Sequence, residues 1–276
     1  MGYSTLMVHA DLGAPSAALL HVAAEMAALF KARVIGIAVC QPLMLAYGDG
    51  YMSADVIDQD QRQMELETGQ AEAQFRAALG GKEIALEWRS STGLAVLSDY
   101  VAEQGRAADL ILVSPEPRGG SIESSRHVSL GELVMRVGRP VLVVPPDIAA
   151  LDLASVMVAW KDTRETRRAI TDALPLLKRA GRVVVAEVAD AQELEASRAR
   201  LADVVAWLAL HGVRAERHAS ASAGDDGARL EAIAREYEAG VMVAGAYGHS
   251  RVREWVLGGV TRGLLRGGGR CSLLSH

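Results

Sequence analysis

Glycines near the C-terminus are the residues whose type and spacing best suggest chemistry. An apolar run, Val241–Ala244, leads into Gly245 and Gly248. Nine residues separate Gly248 from Gly258, which opens a helical pattern together with Gly259. Because glycine has no Cβ, a strand followed by glycines at a helix N-terminus lets backbone N–H groups converge on an anion. The spacing therefore predicts an anion-binding loop.

The overall composition limits the classes of partner and the compartment. The 276 residues are 50% hydrophobic and carry a formal net charge of −5 with acids and bases interspersed, so we expect neither nucleic-acid nor membrane binding. Cys40 and Cys271 are far apart and predict neither a disulfide nor a zinc site. The early apolar stretch 14–30 contains His21 and Glu25, which indicates an amphipathic helix and not a signal or membrane span. We therefore expect a cytoplasmic protein.

Several catalytic and binding motifs are absent from the sequence. There is no GxxxxGK[ST] loop, no GxGxxG after the first strand, and no second glycine of a GxSxG elbow around Ser250. Asp225 and Asp226 are interpreted as a helix N-cap and not as a cation site. The histidines lack ligand spacing, and the tryptophans are interpreted as packing residues, so no catalytic or metal-binding residue is assigned.

The order of predicted elements occurs twice. Predicted strands are Thr5–His9, Arg33–Cys40, Ile84–Arg89, Leu110–Ser114 and Val141–Val144, then Val156–Trp160, Arg182–Val188, Val213–His218, Val241–Gly245 and Ser272–Leu274. Helical patterns start near Pro15, Ala54, Gly93 and Leu130, then near Arg164, Glu193, Ala228 and Gly258. Pro145 and Pro146 cannot extend a strand ladder, so we place domains at 1–147 and 152–276.

Strands that alternate with helices predict parallel βαβ units with right-handed crossovers. We expect an α/β protein of two tandem Rossmann-like domains, each a five-stranded parallel sheet with helices on both faces. The matching last strands of the two domains would pair through their apolar edges and form an intramolecular pseudo-dimer. Ligands of such sheets bind beyond the carboxyl ends of the strands, where the strand order reverses. The glycine cluster follows a fourth strand and is expected at that edge.

At this point the chain resembles the universal stress protein family in its tandem two-domain form, over nearly its whole length. Val156–Trp160 with Thr163–Glu165 is similar to the family's first strand and the start of its first helix. The segment Gly245–Thr261 is similar to its glycine motif, in which two and then nine residues separate the three glycines. Gly138–Pro145 is similar to its closing strand.

The resemblance implies a nucleotide site in the second domain. In members that bind ATP, the glycines hold the phosphates, an aspartate after the first strand holds the nucleoside, and the end of the second strand contacts the base. Carried over to this chain, the implied cofactor is ATP with Mg²⁺, and the implied residues are Gly245, Gly248, Gly258, Gly259, Val260, Val188 and Lys161. Gly259 stands where binders have Ser or Thr, and Lys161, followed by Asp162, stands where they have Asp.

The first domain lacks this equipment. Pro115 and Pro117 follow its fourth strand, and prolines remove N–H donors from the place where an anion nest would form. Glu132 matches Gly259, so a carboxylate would occupy the helix N-terminus and repel phosphate. Asp11 keeps the acid after the first strand. We expect a structural copy with a degenerate site.

Three hypotheses follow for the function. The first is a stress-response regulator that binds ATP or a related nucleotide in the second domain. The second is a stress-response interaction protein that binds no nucleotide and meets a protein partner. The third is a slow ATPase, for which the motif offers no general base or metal-holding acid. Five arginines and one acid lie between Gly245 and His276, and they suit a phosphate, a solvated helix face or a contact with the other domain. Whether two chains form a homodimer stays open.

Overall fold

The computed structural model describes residues 2–12, 16–42, 54–81, 83–93, 96–116, 127–247, 263–265 and 269–276. Its strands are β1 (Thr5–His9), β2 (Arg33–Cys40), β3 (Leu86–Thr92), β4 (Leu110–Val113), β5 (Val141–Val143), β6 (Ser155–Ala159), β7 (Arg182–Ala189), β8 (Glu216–Ala221), β9 (Val241–Gly245) and β10 (Cys271–Ser275). Its helices are α1 (Ala17–Phe30), α2 (Ala54–Leu79), α3 (Leu97–Gln104), α4 (Leu130–Val137), α5 (Arg164–Asp172), α6 (Leu174–Leu177), α7 (Leu194–Leu210) and α8 (Asp226–Glu236).

All ten strands form one sheet, in the order β3-β2-β1-β4-β5-β10-β9-β6-β7-β8. Every neighbouring pair is parallel except β5 and β10, which run antiparallel at the centre. The first half of the chain thus supplies five parallel strands and the second half supplies five more. The predicted α/β fold, with two five-stranded parallel units joined through their last strands, is confirmed.

The helices cover both faces of the sheet. On one face, the helices that pack on the strand side chains are α1, α2, α5, α6 and α7. This core runs without a break through both halves. On the other face, α3, α4 and α8 pack over a second core. The strands at the centre are buried along their whole length because helices lie on both sides of them.

Side-chain caps explain where several helices begin. The hydroxyl of Ser129 accepts from an N–H at the start of α4, Thr163 does the same for α5, and Asp225 does so for α8. The prediction that Asp225 is a cap is confirmed. The helix predicted from Arg164 is interrupted at Ala173, because Pro175 in α6 has no N–H to continue the α5 ladder.

The two outermost strands begin later than predicted. β3 begins at Leu86 and not at Ile84, and β8 begins at Glu216 and not at Val213. Ile84 and Val213 pack on the core from the connections that precede these strands, so their apolar character does not mark a strand. The helix predicted from Gly258 starts outside the described residues.

Hydrogen bonds also join the two halves beside the central strands. The Tyr3 hydroxyl donates to the carbonyl of Asp172, 2.8 Å away, and Arg168 donates to the carbonyl of Gly138 at 2.9 Å. The backbone N–H of Leu151 donates to the Glu25 carboxylate at 2.7 Å. Among the described residues, no helix is both long and apolar enough to cross a membrane.

Because one core spans both halves, we expect them to unfold together. Leu273 on β10 is fully buried and pairs with Leu142 on β5, so Leu273→Ala should lower the free energy of unfolding by about 2–5 kcal/mol. Two sets of tryptophan-to-phenylalanine variants would leave a reporter only in the first half, Trp88, or only at Trp160. Urea transitions followed at the two reporters should coincide, and in Leu273→Ala both should shift equally. Separate transitions in the parent protein would contradict a shared core.

Candidate functional site

The carboxyl edge of the second half contains the point where the strand order reverses. β6 lies between β7 and β9, and Ala159 at its end pairs with Ala186 on one side and Ala244 on the other. Chain connections leave β6 towards β7 and later return to β9, so the crevice above β6 and β9 is where such sheets bind ligands. Gly245 directly follows Ala244 at this edge, and Lys161 lies two positions after Ala159.

Gly245 has a packing role that the sequence did not reveal. A Cβ at this position would lie 2.5 Å from the backbone nitrogen of Thr166 and 2.8 Å from its hydroxyl oxygen. The glycine is therefore required because the first turn of α5 packs directly on the end of β9. The side from which the Cβ is missing faces α5, so only the backbone of Gly245 remains for an anion.

Lys161 and Val188 lie at the ends of neighbouring strands. The Lys161 side chain is exposed, and its carbonyl accepts from the N–H of Thr163 at 2.7 Å, which turns the chain into α5. Asp162 beside it forms an ion pair with Arg167. Val188 is half-buried and packs on the face of the sheet that carries α8. The edge thus offers a cation from β6 and an apolar side chain from β7.

The remaining predicted nucleotide residues, Gly248, Gly258, Gly259 and Val260, lie outside the described residues. Of the five arginines near them, Arg270 is described. It is 9% exposed, donates to the Ala239 carbonyl at 3.0 Å and pairs with Glu231. Arg270, directly before β10, therefore ties this strand to α8 and to the loop between α8 and β9.

A buried network beside this edge was missed from the sequence. Glu187 on β7 is 5% exposed and accepts from the Ser197 hydroxyl at 2.8 Å and from Arg200 at 2.9 Å. The hydrogen bond to Glu187 raises the pKa of Arg200 above its ordinary value. Because a buried carboxylate needs a compensating cation, this pair fixes α7 on β7. The only sequence signal is an acid inside an otherwise apolar strand.

In the first half, a side-chain carboxylate lies at the corresponding edge of the sheet. A carboxylate oxygen of Glu116 accepts from the backbone N–H of Leu130 at 3.1 Å and of Gly131 at 3.4 Å. These are the first N–H groups of α4, where the helix dipole favours negative charge. We expected Glu132 to play this part, but its carboxylate accepts from the Ser98 hydroxyl at 2.7 Å. At this edge, the carboxylate of Glu116 therefore occupies the N–H groups that begin α4.

Acidic and imidazole groups also meet at this first-half edge. The Nδ1 atom of His127 lies 2.8 and 2.9 Å from the two carboxylate oxygens of Asp11, which ties the end of β1 to the residues before α4. His9 beside them is buried, and burial lowers its pKa below the ordinary 6.5, with His127 acting in the same direction and Asp11 against it. No metal-binding cluster occurs in the part of the chain that is described.

Tyr247, just after β9 in the second half, packs against Gly131 in the first half. It has a left-handed backbone with φ of 61°, and its hydroxyl lies where a Cβ on Gly131 would be. Burial, together with the charge of Glu116, raises the pKa of Tyr247 to about 12. The backbone N–H of Glu116 in turn donates to the Leu265 carbonyl at 3.1 Å. The loop that begins the glycine motif is thus packed against the N-terminus of α4.

Comparison with known proteins identifies the class of fold. No family model matches the sequence, and no curated protein matches it. Among solved structures, a universal stress protein from Archaeoglobus fulgidus DSM 4304 is 16% identical, with 98% of this chain and 95% of that chain covered and a TM-score of 0.75. A functionally unknown protein from Pseudomonas aeruginosa PAO1 is 15% identical, with coverages of 99% and 92% and a TM-score of 0.62.

A shorter structure, the universal stress protein from Archaeoglobus fulgidus in complex with dAMP, is 17% identical. It covers 52% of this chain and 99% of its own length, with a TM-score of 0.34, so its ligand carries no argument for this protein. The chain therefore has the fold of universal stress proteins over almost its whole length, and the resemblance inferred from its motifs is confirmed for the fold.

The state of His9 predicts how stability depends on pH. Because its pKa is lowered in the folded protein, the unfolded chain binds the proton first, and stability should fall as the pH decreases below about 6.5. In His9→Gln this part of the loss should disappear, a difference of at most about 1.4 kcal/mol per pH unit. Urea unfolding at pH 7.5, 6.5, 5.5 and 4.5 measures it. The exposed His21→Gln is the control, and equal pH slopes for parent and His9→Gln would refute the assignment.

Proposed function

We propose that this protein is a universal stress protein that binds ATP or a related nucleotide in its second half and acts as a regulator of the stress response. The observation that most directly supports this proposal is the reversal of strand order at β6 and β9. Gly245 and the start of the glycine motif lie at that edge. The fold, shared over 98% of the chain with a universal stress protein, supports the proposal.

The described residues at this edge include the types of side chain that a nucleotide site needs. The exposed ammonium of Lys161 suits a phosphate, and the half-buried Val188 suits the apolar face of a base. Asp162, one position after Lys161, is exposed and is paired with Arg167. Gly245 contributes its backbone alone, because α5 fills the space beside its Cα. ATP with Mg²⁺ is the proposed ligand, and its negative charge is what Lys161 would neutralise.

The proposal assigns one site to each chain. In the first half, Glu116 already bonds the N–H groups at the start of α4 that an external phosphate would need. A second anion at that place would meet the carboxylates of Glu116 and Asp11. We further propose that domains 1–147 and 152–276 form the pseudo-dimer, that the protein acts in the cytoplasm, and that a protein partner or a homodimer reads its state.

Calorimetric titration of the purified chain with ATP and Mg²⁺ tests this function. We expect about one site per chain, and Lys161→Ala should weaken binding about tenfold because it removes a charge-assisted contact with phosphate. Lys178→Ala is the matched control, since Lys178 is an equally exposed lysine at the opposite, amino edge of the sheet. No heat up to millimolar nucleotide, or two sites per chain, would overturn the proposal.

A second function, a stress-response interaction protein without nucleotide, is favoured by one observation. The chain has Lys161 where nucleotide-binding members have an acid, and it presents α5 on the Cβ side of Gly245. Native mass spectrometry of the freshly purified protein separates the two functions. A co-purifying nucleotide supports the regulator, whereas a bare chain that also fails the titration supports the interaction protein.

A further inference from the structure

A cleft of about 460 Å³ lies between α5 and α7 on one face of the second half. Its apolar wall consists of Trp160, Ile170, Val204 and Trp207. Cavities of this size, with mostly apolar walls and a few polar groups, are typical of small-molecule sites. The half-buried indole of Trp207 and the small exposed part of Trp160 form an aromatic wall, which favours a flat ligand.

The cleft is separate from the proposed nucleotide site. Trp160 follows β6 and belongs to the core under α5 and α7, whereas Val188 packs on the opposite face of the sheet. Gly245 and Lys161 do not line the cleft. A ligand here would therefore bind beside the helices and not above the strand ends.

Charges along the cleft favour a cation. Asp162 pairs with Arg167, and Arg200 pairs with Glu187 on β7 behind the cleft. Asp203 also lines the cleft, and within the described residues it has no hydrogen bond or ion pair. With both arginines neutralised by acids, the carboxylate of Asp203 is the uncompensated charge. An ammonium or amidinium group is the natural partner for it.

The wall also contains an unsatisfied donor. Trp160 is 7% exposed, and its indole Nε1–H has no hydrogen-bond partner in the described part of the chain. Buried donors are nearly always paired, so this lone indole N–H leaves the Trp160 wall of the cleft incompletely satisfied.

We propose that the α5–α7 cleft binds a small aromatic amine, with its flat ring system against Trp160 and Trp207 and its protonated amine at Asp203. The ring system of the ligand would cover the apolar wall and exclude water from it. The positive charge of the amine would also be attracted to the π faces of the indoles. The site is distinct from the proposed nucleotide site, because Gly245, Lys161 and Val188 do not line it; Asp162, next to Lys161, lines it and is paired with Arg167.

Binding can be followed at the tryptophan indole N–H signals in ¹H–¹⁵N spectra of the full chain without nucleotide. The probe is 2-naphthylmethylamine, and 2-naphthoate is its control with a similar ring system and opposite charge. We expect the amine to shift the signals of Trp160 and Trp207 with a dissociation constant of about 0.1–1 mM. The signal of Trp88, a buried indole of the first half, should stay in place. The carboxylate should bind at least about fivefold more weakly.

Variants make the site assignment specific. Val204→Phe fills the cleft and should abolish the shifts, whereas Ala206→Phe, an exposed neighbour on α7 that does not line the cleft, should leave them unchanged. Asp203→Asn keeps the shape of this exposed side chain but removes its charge. It should therefore remove the preference for the amine probe over the carboxylate probe. Equal binding of both probes, shifts that persist in Val204→Phe, or no shift at 5 mM amine would each overturn the proposal. Because ATP is absent, these outcomes do not depend on the nucleotide titration.

Discussion

The antiparallel pairing of β5 with β10 is the interaction on which the rest of the structure depends. Each half ends in a short, wholly buried strand, and either strand alone would leave an unpaired edge in the middle of a buried core. Their pairing satisfies both edges and merges two five-stranded sheets into one of ten. Because the pair is antiparallel, it also relates the halves by an approximate twofold rotation. The loops after β4 and β9 are thereby brought towards each other's neighbouring helices.

The same local geometry is used in two ways by the two halves. In both, a loop follows the fourth strand at the point where strand order reverses. The first half places Glu116 there and supplies its own anion to the amides of α4, with Asp11 and His127 closing the place beside it. The second half places glycines there, and a lysine follows its first strand. The first half thus satisfies its own helix N-terminus with a carboxylate, whereas the second half has glycines and a lysine at the corresponding edge.

Local patterns were enough to predict most of the architecture. β1 has the predicted bounds and α2 begins at the predicted Ala54, because a short apolar run and a long amphipathic pattern are strong local signals. The edge strand β8 was misplaced because Val213 packs on the core from a connection. The site was less predictable, since Asp11 and His127 are 116 positions apart and no local pattern relates them. Likewise, the sequence predicted Glu132 as the carboxylate at the N-terminus of α4, because Glu132 matches a motif position. The carboxylate found there belongs to Glu116, which reaches α4 from the loop after β4.

Tyr247 gives the two sites a physical connection. It directly precedes Gly248 of the glycine motif, yet its hydroxyl occupies the space beside Gly131, whose N–H faces Glu116. A side chain at position 131 would displace it, so this glycine exists for the contact between halves. Any rearrangement of the loop after β9 must move Tyr247, and with it the surroundings of the Glu116 carboxylate. Coupling of this kind requires a contiguous packed element with two arrangements, and the Tyr247–Gly131 contact supplies the packed element. The Tyr247–Gly131 contact is therefore the route by which the nucleotide site proposed for the second half would affect the first half.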